Sequence, residues 1–337
     1  MQGTLTCDGS HGVATRADIE QHFHDQVFFW LDLDGVDDDA HELMQNTLNL
    51  HQLAVSHAQE FGQRPRIEDY DDFAYMVVHG ANEGSGGTFG SGNIGGDKPL
   101  TFEVHFIVAE HFVITIHHGP CPAMDTVRER IGHRKASEFQ APQVALLYLV
   151  IDQLVDSFFP VLDDFDTQID DLEDAILVQP TEEQLGTLFT MKRTLVTLRK
   201  VVTPERDMFA SITSGVETLP GITEDGQRYL RDIYDHLIRI SDLIDGYRDL
   251  LSSVMDTHLS TVSNRLNVVM KQLTIIATIF LPLSFITGFF GQNFGWLVQH
   301  LGSWEVFVGL GLGLNIVAAG GLFYLFRKRG WLGGPTN

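Results

Sequence analysis

Two long uncharged runs dominate the pattern of hydrophobic and polar positions along the chain. Residues 273–290 contain no charged side chain. As a helix they would span about 27 Å, close to the ~30 Å hydrocarbon core of a bilayer. A second uncharged run, residues 306–326, follows after a short connection. The pattern therefore predicts a hairpin of two membrane-spanning helices near the C-terminus.

The charges that flank the two runs predict their orientation. Lys271 precedes the first run, and Arg327, Lys328 and Arg329 follow the second. Basic residues favour the cytoplasmic side of a membrane. We therefore expect a multi-pass protein of the inner or plasma membrane, with two spans, both termini in the cytoplasm and the short loop outside.

A very long helix is predicted to lead into the first span. From Thr223 the sequence contains no strong helix stop before Phe290. That is about 68 residues, or roughly 100 Å if the helix is unbroken. Globular helices are rarely so long, so we interpret the segment as a supercoiled stalk that continues into the membrane.

The N-terminal part alternates strand and helix patterns, which predicts an α/β domain. After a poorly ordered polar lead over residues 1–24, we expect strands at 26–33, 73–79, 101–109 and 111–117 and helices at 37–62 and 125–132. The Gly-rich segment 84–96 lacks the Gly-Lys-Ser/Thr ending of a phosphate-binding loop and leads into a strand, which favours a flexible hairpin insertion.

An acidic helical hairpin is predicted between this domain and the stalk. The first helix continues from residues 144–151 through Pro160, which should kink it, into the acidic stretch 162–177. Apolar residues recur there at steps of three and four, which predicts an amphipathic helix. Residues 181–202 carry basic side chains and form the return helix, with the turn at Gln179 and Pro180.

Composition narrows the class of function. The net charge of −23 argues against a nucleic-acid partner, which would require Lys and Arg, and suits a region that attracts cations. The two cysteines, Cys7 and Cys121, fit a reducing cytosol. No nucleophile–base arrangement or carboxylate pair suggests an enzyme. Among the 15 histidines, the pairs His22/His24 and His117/His118 lack zinc-site spacing, so solvated histidines are favoured.

One stripe along the first span consists of side chains that are small, unbranched or weakly polar. Its members, at steps of three and four, are Asn267, Met270, Leu273, Ala277, Leu281, Ser284 and Gly288. Such a stripe could be a packing seam between helices or the lining of a pore. Pro282 lies inside the span and deprives the Thr278 carbonyl of its helical donor, which indicates either a simple kink or a carbonyl that water can reach.

The end of this span carries a family resemblance. The segment Ile279-Phe-Leu-Pro-Leu-Ser-Phe-Ile-Thr-Gly-Phe-Phe-Gly-Gln-Asn-Phe294 resembles the signature of the CorA metal-ion transporters, in which an apolar helix with an internal Pro ends in Tyr-Gly-Met-Asn. The flanks 263–271 and 327–332 resemble the pore-helix entry and the basic tail of that family. The segments 30–33, 64–70 and 103–108 resemble its cytosolic domain, so the resemblance covers nearly the whole chain.

The resemblance implies an α+β membrane protein that assembles as a funnel-shaped homopentamer around a central pore. It implies that the stripe lines this pore, with Met270, Leu273 and Leu281 as apolar constrictions that close by dewetting. Asn267 and Ser284 would offer oxygens between them. Gly291, Gln292 and Asn293 would form the selectivity filter, in which Asn293 binds the hydrated ion through its amide oxygen.

The same resemblance suggests where regulatory cations bind. Acidic residues serve the family as regulatory divalent sites, and Asp232 and Asp256 on the stalk are the candidates here, with an ordinary solvated face as the alternative. No cofactor is implied besides the transported or regulatory divalent cation. The expected partners are the lipid bilayer, further copies of the chain and divalent cations.

Together these features predict a division of the chain. We expect a cytosolic α/β domain at 1–140, a cytosolic helical hairpin at 141–222, the cytosolic stalk at 223–272, the pore helix at 273–290, an extracytoplasmic loop at 291–305, the second span at 306–326 and a basic cytoplasmic tail at 327–337.

The predicted function is uptake of a divalent cation driven by the membrane potential, with Mg²⁺ as the first choice and Co²⁺ or Ni²⁺ as further ions. Gln292 departs from the Met most often found in the family, and Glu305 is the only acid of the outer loop. These departures leave open a ZntB-like Zn²⁺ transporter, with or without proton coupling. A membrane-anchored cytosolic scaffold is a rival from another class, although an anchor would need neither the motif nor the uncharged stripe.

Overall fold

The structure is a computed structural model that describes residues 1–7, 10–82, 99–131, 141–292, 295–300 and 302–331. The chain divides into two compact units, residues 1–256 and 257–337. The predicted Gly-rich insertion at 84–96 lies outside the described residues, and so do Asn293 and the end of the basic tail.

Among the residues that the structure describes, seven strands form one mixed sheet in the first unit. They are β1 Gly3–Cys7, β2 Ser10–Val13, β3 Phe29–Asp34, β4 Arg66–Tyr70, β5 Phe73–Ala81, β6 Thr101–Ala109 and β7 Phe112–His117. Their order across the sheet is β2-β1-β3-β7-β6-β5-β4. Only the β3–β7 pair among these is parallel; the other neighbours are antiparallel. The predicted strands and the hairpin at Glu110 are confirmed.

Helices cover both faces of this sheet. They are α1 Arg16–His24, α2 Asp38–Glu42, a π-helical turn at Leu43–Thr47, α3 Gln52–Gln59, α4 Pro122–Ile131, α5 Pro142–Asp156, α6 Phe158–Val178, α7 Glu182–Thr213 and the first part of α8, Glu224–Phe290. Successive strand residues point to opposite faces. Trp30 and Met76 therefore join the core formed with α4 to α8, while Leu31 and Tyr75 join the core formed with α1 to α3.

The prediction of a poorly ordered lead over residues 1–24 is wrong. The segment forms β1, β2 and α1. Leu5 pairs with Leu31 of β3, and Ile19 of α1 is fully buried. Only a few apolar side chains anchor these elements, and their order depends on a strand that lies later in the chain, so local hydrophobicity gave no sign of them.

Two helices predicted as continuous are divided. The segment 37–62 breaks near Asn49, which adopts a left-handed conformation with φ 53°. The helix through Pro160 does not kink at the proline. It stops at Ser157, and α6 starts at Phe158, so Pro160 occupies the first turn of α6. A missing N–H causes no loss there, because the first four N–H groups of a helix have no intrahelical acceptor.

The return helix α7 is longer than predicted and passes through Pro204 to Thr213. Its start is fixed by a capping box, in which the Thr181 hydroxyl accepts from the Gln184 N–H and the Gln184 side chain accepts from the Thr181 N–H. The turn at residues 179–180 is therefore confirmed. The acidic α6 buries Phe165, Ile169 and Ile176, as expected of an amphipathic helix.

The long helix α8 is confirmed as one element of 67 residues that continues through Pro282. After it come α9 Gly295–His300, α10 Trp304–Val306, a π-helical turn at Phe307–Gly313 and α11 Leu314–Lys328. Among the residues that the structure describes, three helical stretches are long and apolar enough to cross a membrane: 142–178, 224–290 and 304–328. Half of the most apolar window of the first is buried within the chain, against 6% for each of the other two. The stretch 142–178 is thus accounted for by the core of the first unit.

Candidate ion pathway and cation cluster

The predicted stripe lies on the face of α8 that no other described residue covers. In the second unit α8 is covered along one face, at positions that recur every three or four residues. Four stripe residues each lie two residues after a covered position. They are Ala277 after Ile275, Leu281 after Ile279, Ser284 after Pro282 and Gly288 after Ile286. Two residues correspond to a rotation of about 200°. The stripe therefore faces away from the part of α8 that packs within the chain.

The whole stripe is open within a single chain. Met270 and Leu273 are 58% and 59% exposed, and Leu281 is 76% exposed. Asn267 is exposed as well. The bulky Phe280 and Phe285 are also open and border the stripe, because each lies four residues, about 40° around the helix, from a stripe member, Ser284 or Leu281. This face leaves a continuous, uncharged surface available to further copies of the chain or to a water-filled path.

The motif at the end of the stripe begins as an extension of the helix. The Gly291 N–H donates to the Thr287 carbonyl at 2.9 Å, and the Gln292 N–H donates to the Phe289 carbonyl at 3.3 Å. A Cβ atom on Gly291 would lie 3.0 Å from the Thr287 oxygen, so close approach favours glycine there. Gly291 and Gln292 are exposed. Asn293 follows outside the described residues.

A separate cluster of possible cation ligands lies in the first unit, between α5 and α8. One ligand atom from each of Asp152, Asp156 and His236 lies within 4.8 Å of the others. The Nδ1 atom of His236 is 3.4 Å from Asp156 Oδ1 and 3.7 Å from Asp152 Oδ1. That nitrogen is buried and makes no hydrogen bond to a described residue. The arrangement offers two carboxylates and one imidazole at a spacing suited to one ion.

The electrostatics of this cluster favour a cation. Burial, and then the neighbouring carboxylate of Asp156, raise the pKa of Asp152, because both oppose its negative charge. Asp232 acts on Asp152 in the same direction. The Tyr148 hydroxyl donates to Asp232 at 3.0 Å, which ties this third carboxylate to α5. A divalent ion would relieve the repulsion among these carboxylates.

The structure separates the two regulatory residues that the sequence predicted. Both are exposed, but Asp232 lies at the edge of the cluster, whereas Asp256 lies 24 residues further along the same helix, roughly 36 Å away. Sequence reasoning missed Asp152, Asp156 and His236. A usable signal existed, since Asp152/Asp156 and Asp232/His236 are both i, i+4 pairs and so share one helix face each.

The histidine pairs are not all solvated, which corrects that expectation for His117. Its Nδ1 lies 2.7 Å from the Gly119 carbonyl and its Nε2 lies 3.4 Å from Asp32, in a buried setting. His118 is exposed and stacks on Phe61. Neither residue belongs to a described group of three metal ligands.

Comparison with known proteins supplies the context for these sites. The family described as CorA-like Mg²⁺ transporter protein matches residues 25–328. The cobalt/magnesium transport protein CorA of Thermotoga maritima is 32% identical over 308 residues, which cover 90% of this chain and 83% of that protein. The zinc transport protein ZntB of Yersinia pseudotuberculosis is 24% identical over 266 residues, which cover 79% of this chain and 77% of that protein.

The fold has a close structural counterpart. The complete structure of the CorA magnesium transporter from Methanocaldococcus jannaschii superposes with a TM-score of 0.80 and 21% identity, covering 98% of this chain and 99% of that one. The predicted order of sheet domain, helices, long helix and C-terminal helix is therefore confirmed.

Proposed function

Because this chain belongs to the family of CorA-like Mg²⁺ transporter proteins and is a divalent cation transporter, we propose that it admits Mg²⁺ through a pore lined by the α8 stripe. The observation that carries this proposal is the orientation of the stripe. An uncharged row runs along the uncovered face of α8 and leads into Gly291 and Gln292, which Asn293 follows in the sequence. Five copies of the chain would place five such rows around one axis.

The proposed pore suits a hydrated ion. Mg²⁺ loses its water ligands reluctantly. A ring of neutral Asn293 amides can accept hydrogen bonds from that water shell without removing it. Met270, Leu273 and Leu281 would close the path by excluding water. Entry towards the cytoplasm would be driven by the membrane potential, which contributes ~2.3 kcal/mol per charge at 100 mV, or roughly 4.6 kcal/mol for a divalent ion.

A Zn²⁺ transporter is the alternative within the same fold. It is favoured by Gln292 in the filter, by the scarcity of acids in the outer loop and by the similarity to ZntB. The CorA relative named for cobalt and magnesium is more similar and covers more of this chain. Mg²⁺, with Co²⁺ as a further ion, therefore remains the proposed substrate.

We also propose that the cluster of Asp152, Asp156 and His236 binds a regulatory divalent cation, with Asp232 in support. Its geometry and the mutual repulsion of its carboxylates are the reasons. Asp256 is less suited, because it lies far along α8 from the acids of the cluster.

A flux assay tests the transport proposal. Purified full-length chain would be reconstituted in liposomes, with an inward-positive or inward-negative potential imposed, and uptake of Mg²⁺, Co²⁺, Ni²⁺ and Zn²⁺ measured. We expect Mg²⁺ uptake that grows with an inward-negative potential, is abolished by Asn293→Ala and is only mildly changed by Gln292→Met. Zn²⁺ uptake without Mg²⁺ uptake would favour the alternative, and near-normal uptake by Asn293→Ala would contradict the filter.

A further inference from the structure

The short helix α9 ends in a histidine whose ring is held in one orientation. The Nδ1 atom of His300 lies 2.9 Å from the backbone carbonyl oxygen of Trp296, one helical turn earlier. A carbonyl oxygen can only accept a hydrogen bond. Nδ1 must therefore carry the proton, and the neutral ring presents its lone pair at Nε2.

A second contact fixes the plane of the same ring. The His300 and Trp296 rings are stacked, with centroids 4.8 Å apart and planes 22° from parallel. His300 is exposed, and its Nε2 makes no hydrogen bond to any residue that the structure describes. The imidazole is thus oriented by one neighbour through two contacts, while its basic nitrogen has no hydrogen-bond partner among the described residues.

This is the arrangement that proteins use to prepare a histidine for a metal ion. Metal-binding histidines usually donate their other ring N–H to a carbonyl or carboxylate, which fixes the tautomer and the ring direction. A neutral imidazole nitrogen binds Zn²⁺, Ni²⁺, Co²⁺ and Cu²⁺ well. Mg²⁺ prefers oxygen ligands. A ligand at His300 would therefore distinguish transition metals from Mg²⁺.

The surrounding loop has little charge to attract ions by other means. Between residues 291 and 305 the sequence contains one acid, Glu305, and no Lys or Arg. We infer that His300 is a ligand for a transition-metal dication in this loop, and that an ion bound there hinders the entry of Mg²⁺. The inference rests on the proposed function, which places the loop at the outer mouth of the pore and supplies one His300 from each copy of the chain.

The stack itself provides a direct test of binding. Open-shell Ni²⁺ quenches the fluorescence of an indole in its immediate neighbourhood, and Trp296 is the indole that touches His300. Ni²⁺ would be titrated into purified full-length chain in detergent. Trp296→Phe identifies the share of the signal that belongs to Trp296. His24→Gln, which changes an exposed histidine of α1, is the matched control.

We expect Ni²⁺-dependent quenching that is lost in both Trp296→Phe and His300→Gln and kept in His24→Gln. His300→Cys should restore metal binding, with a preference for Cd²⁺, because a thiolate is a soft ligand. Quenching by Ni²⁺ that is unchanged in His300→Gln would overturn the inference.

A flux measurement tests the consequence for transport and separates the two proposals. Ni²⁺ or Zn²⁺ would be added outside liposomes that take up Mg²⁺, and each variant would be normalised to its own uptake without added metal. Loss of an orienting partner alone weakens metal sites by about tenfold or more, so His300→Gln should raise the inhibitory concentration at least that much. Equal inhibition of both proteins would overturn the role of His300. Absence of Mg²⁺ uptake in the unmodified chain would instead refute the proposed function, and the quenching titration would still decide the metal ligand.

Discussion

The carboxyl group of Glu205 accepts a hydrogen bond of 3.3 Å from the backbone N–H of His79 and is completely buried. Strand β4 pairs with β5 only as far as Val77, and the Glu205 side chain of α7 supplies an acceptor just beyond that end. The other oxygen of Glu205 makes no hydrogen bond to a described residue. A helix side chain thus completes the edge of the sheet with a group that can gain or lose charge.

The buried Glu205 should make the stability of the chain fall as pH rises. Burial raises the pKa of Glu205 well above its usual value, with the His79 N–H acting weakly in the opposite direction. The folded chain therefore holds this proton at pH values where the unfolded chain has lost it. Stability is full below the usual Glu pKa and is lost as pH rises towards the folded pKa, by on the order of 1 kcal/mol per pH unit.

Glu205→Gln keeps the acceptor and removes the charge, so the melting temperature of full-length chain in detergent should lose this part of its pH dependence. Glu183→Gln changes an exposed carboxylate on the same helix and should leave the pH dependence in place. If the melting temperatures of Glu205→Gln and the unmodified chain change with pH in the same way, Glu205 is not protonated in the folded state.

Leu281→Ser should increase ion leak through the proposed pore. A hydroxyl on the stripe would hold water at a constriction that apolar side chains keep dry. Leakage of Mg²⁺ into liposomes at zero potential is the measurement. The same substitution at Leu283, on the covered face of α8, is the matched control and should disturb packing without wetting the stripe. A larger leak from Leu283→Ser than from Leu281→Ser would place the pore on the other face.

Divalent cations should stabilise the first unit through its cation cluster. A ligand at a hundredfold excess over its dissociation constant adds about 2.7 kcal/mol to the free energy of unfolding. Mg²⁺ or Co²⁺ should therefore raise the melting temperature of the full chain, and Asp156→Asn or His236→Gln should remove most of that rise. Asp256→Asn should not, because Asp256 is far from the cluster. If Asp256→Asn removes the rise in melting temperature and the Asp156 and His236 variants keep it, the regulatory site lies at Asp256 instead.

The predicted orientation can be tested with single cysteines and an impermeant thiol reagent in whole cells. Gln299 is exposed on α9 and is a better site than Ser303, whose hydroxyl accepts from the Val306 N–H and caps α10. A cysteine at Gln299 should be labelled in intact cells, and one at Asn337 only after permeabilisation, because basic residues place that end in the cytoplasm. Labelling of Asn337→Cys alone in intact cells would invert the topology. Cys121 is buried and should contribute little background.

Features that depend on local periodicity and charge could be predicted from the sequence. The uncharged runs, the long α8 helix and the phase of the stripe follow from residues that are near neighbours, so their pattern could be read directly. The motif that ends in Asn293 identified the family. The strands β5 to β7 were predictable for the same reason, since each is rich in apolar and aromatic residues.

Contacts between residues that are distant in the chain depend on tertiary packing and could not be predicted. His236 lies 80 or more residues from Asp152 and Asp156, and their contact depends on how α5 packs against α8. The burial of Glu205 depends likewise on where β4 ends, and the order of residues 1–24 depends on β3. Such contacts are set by packing between elements, which the sequence of either element alone does not contain. The orientation of His300 lies between these two cases. Its hydrogen bond and ring stack involve Trp296, only four residues earlier in the sequence, but both contacts form only because residues 295–300 are helical.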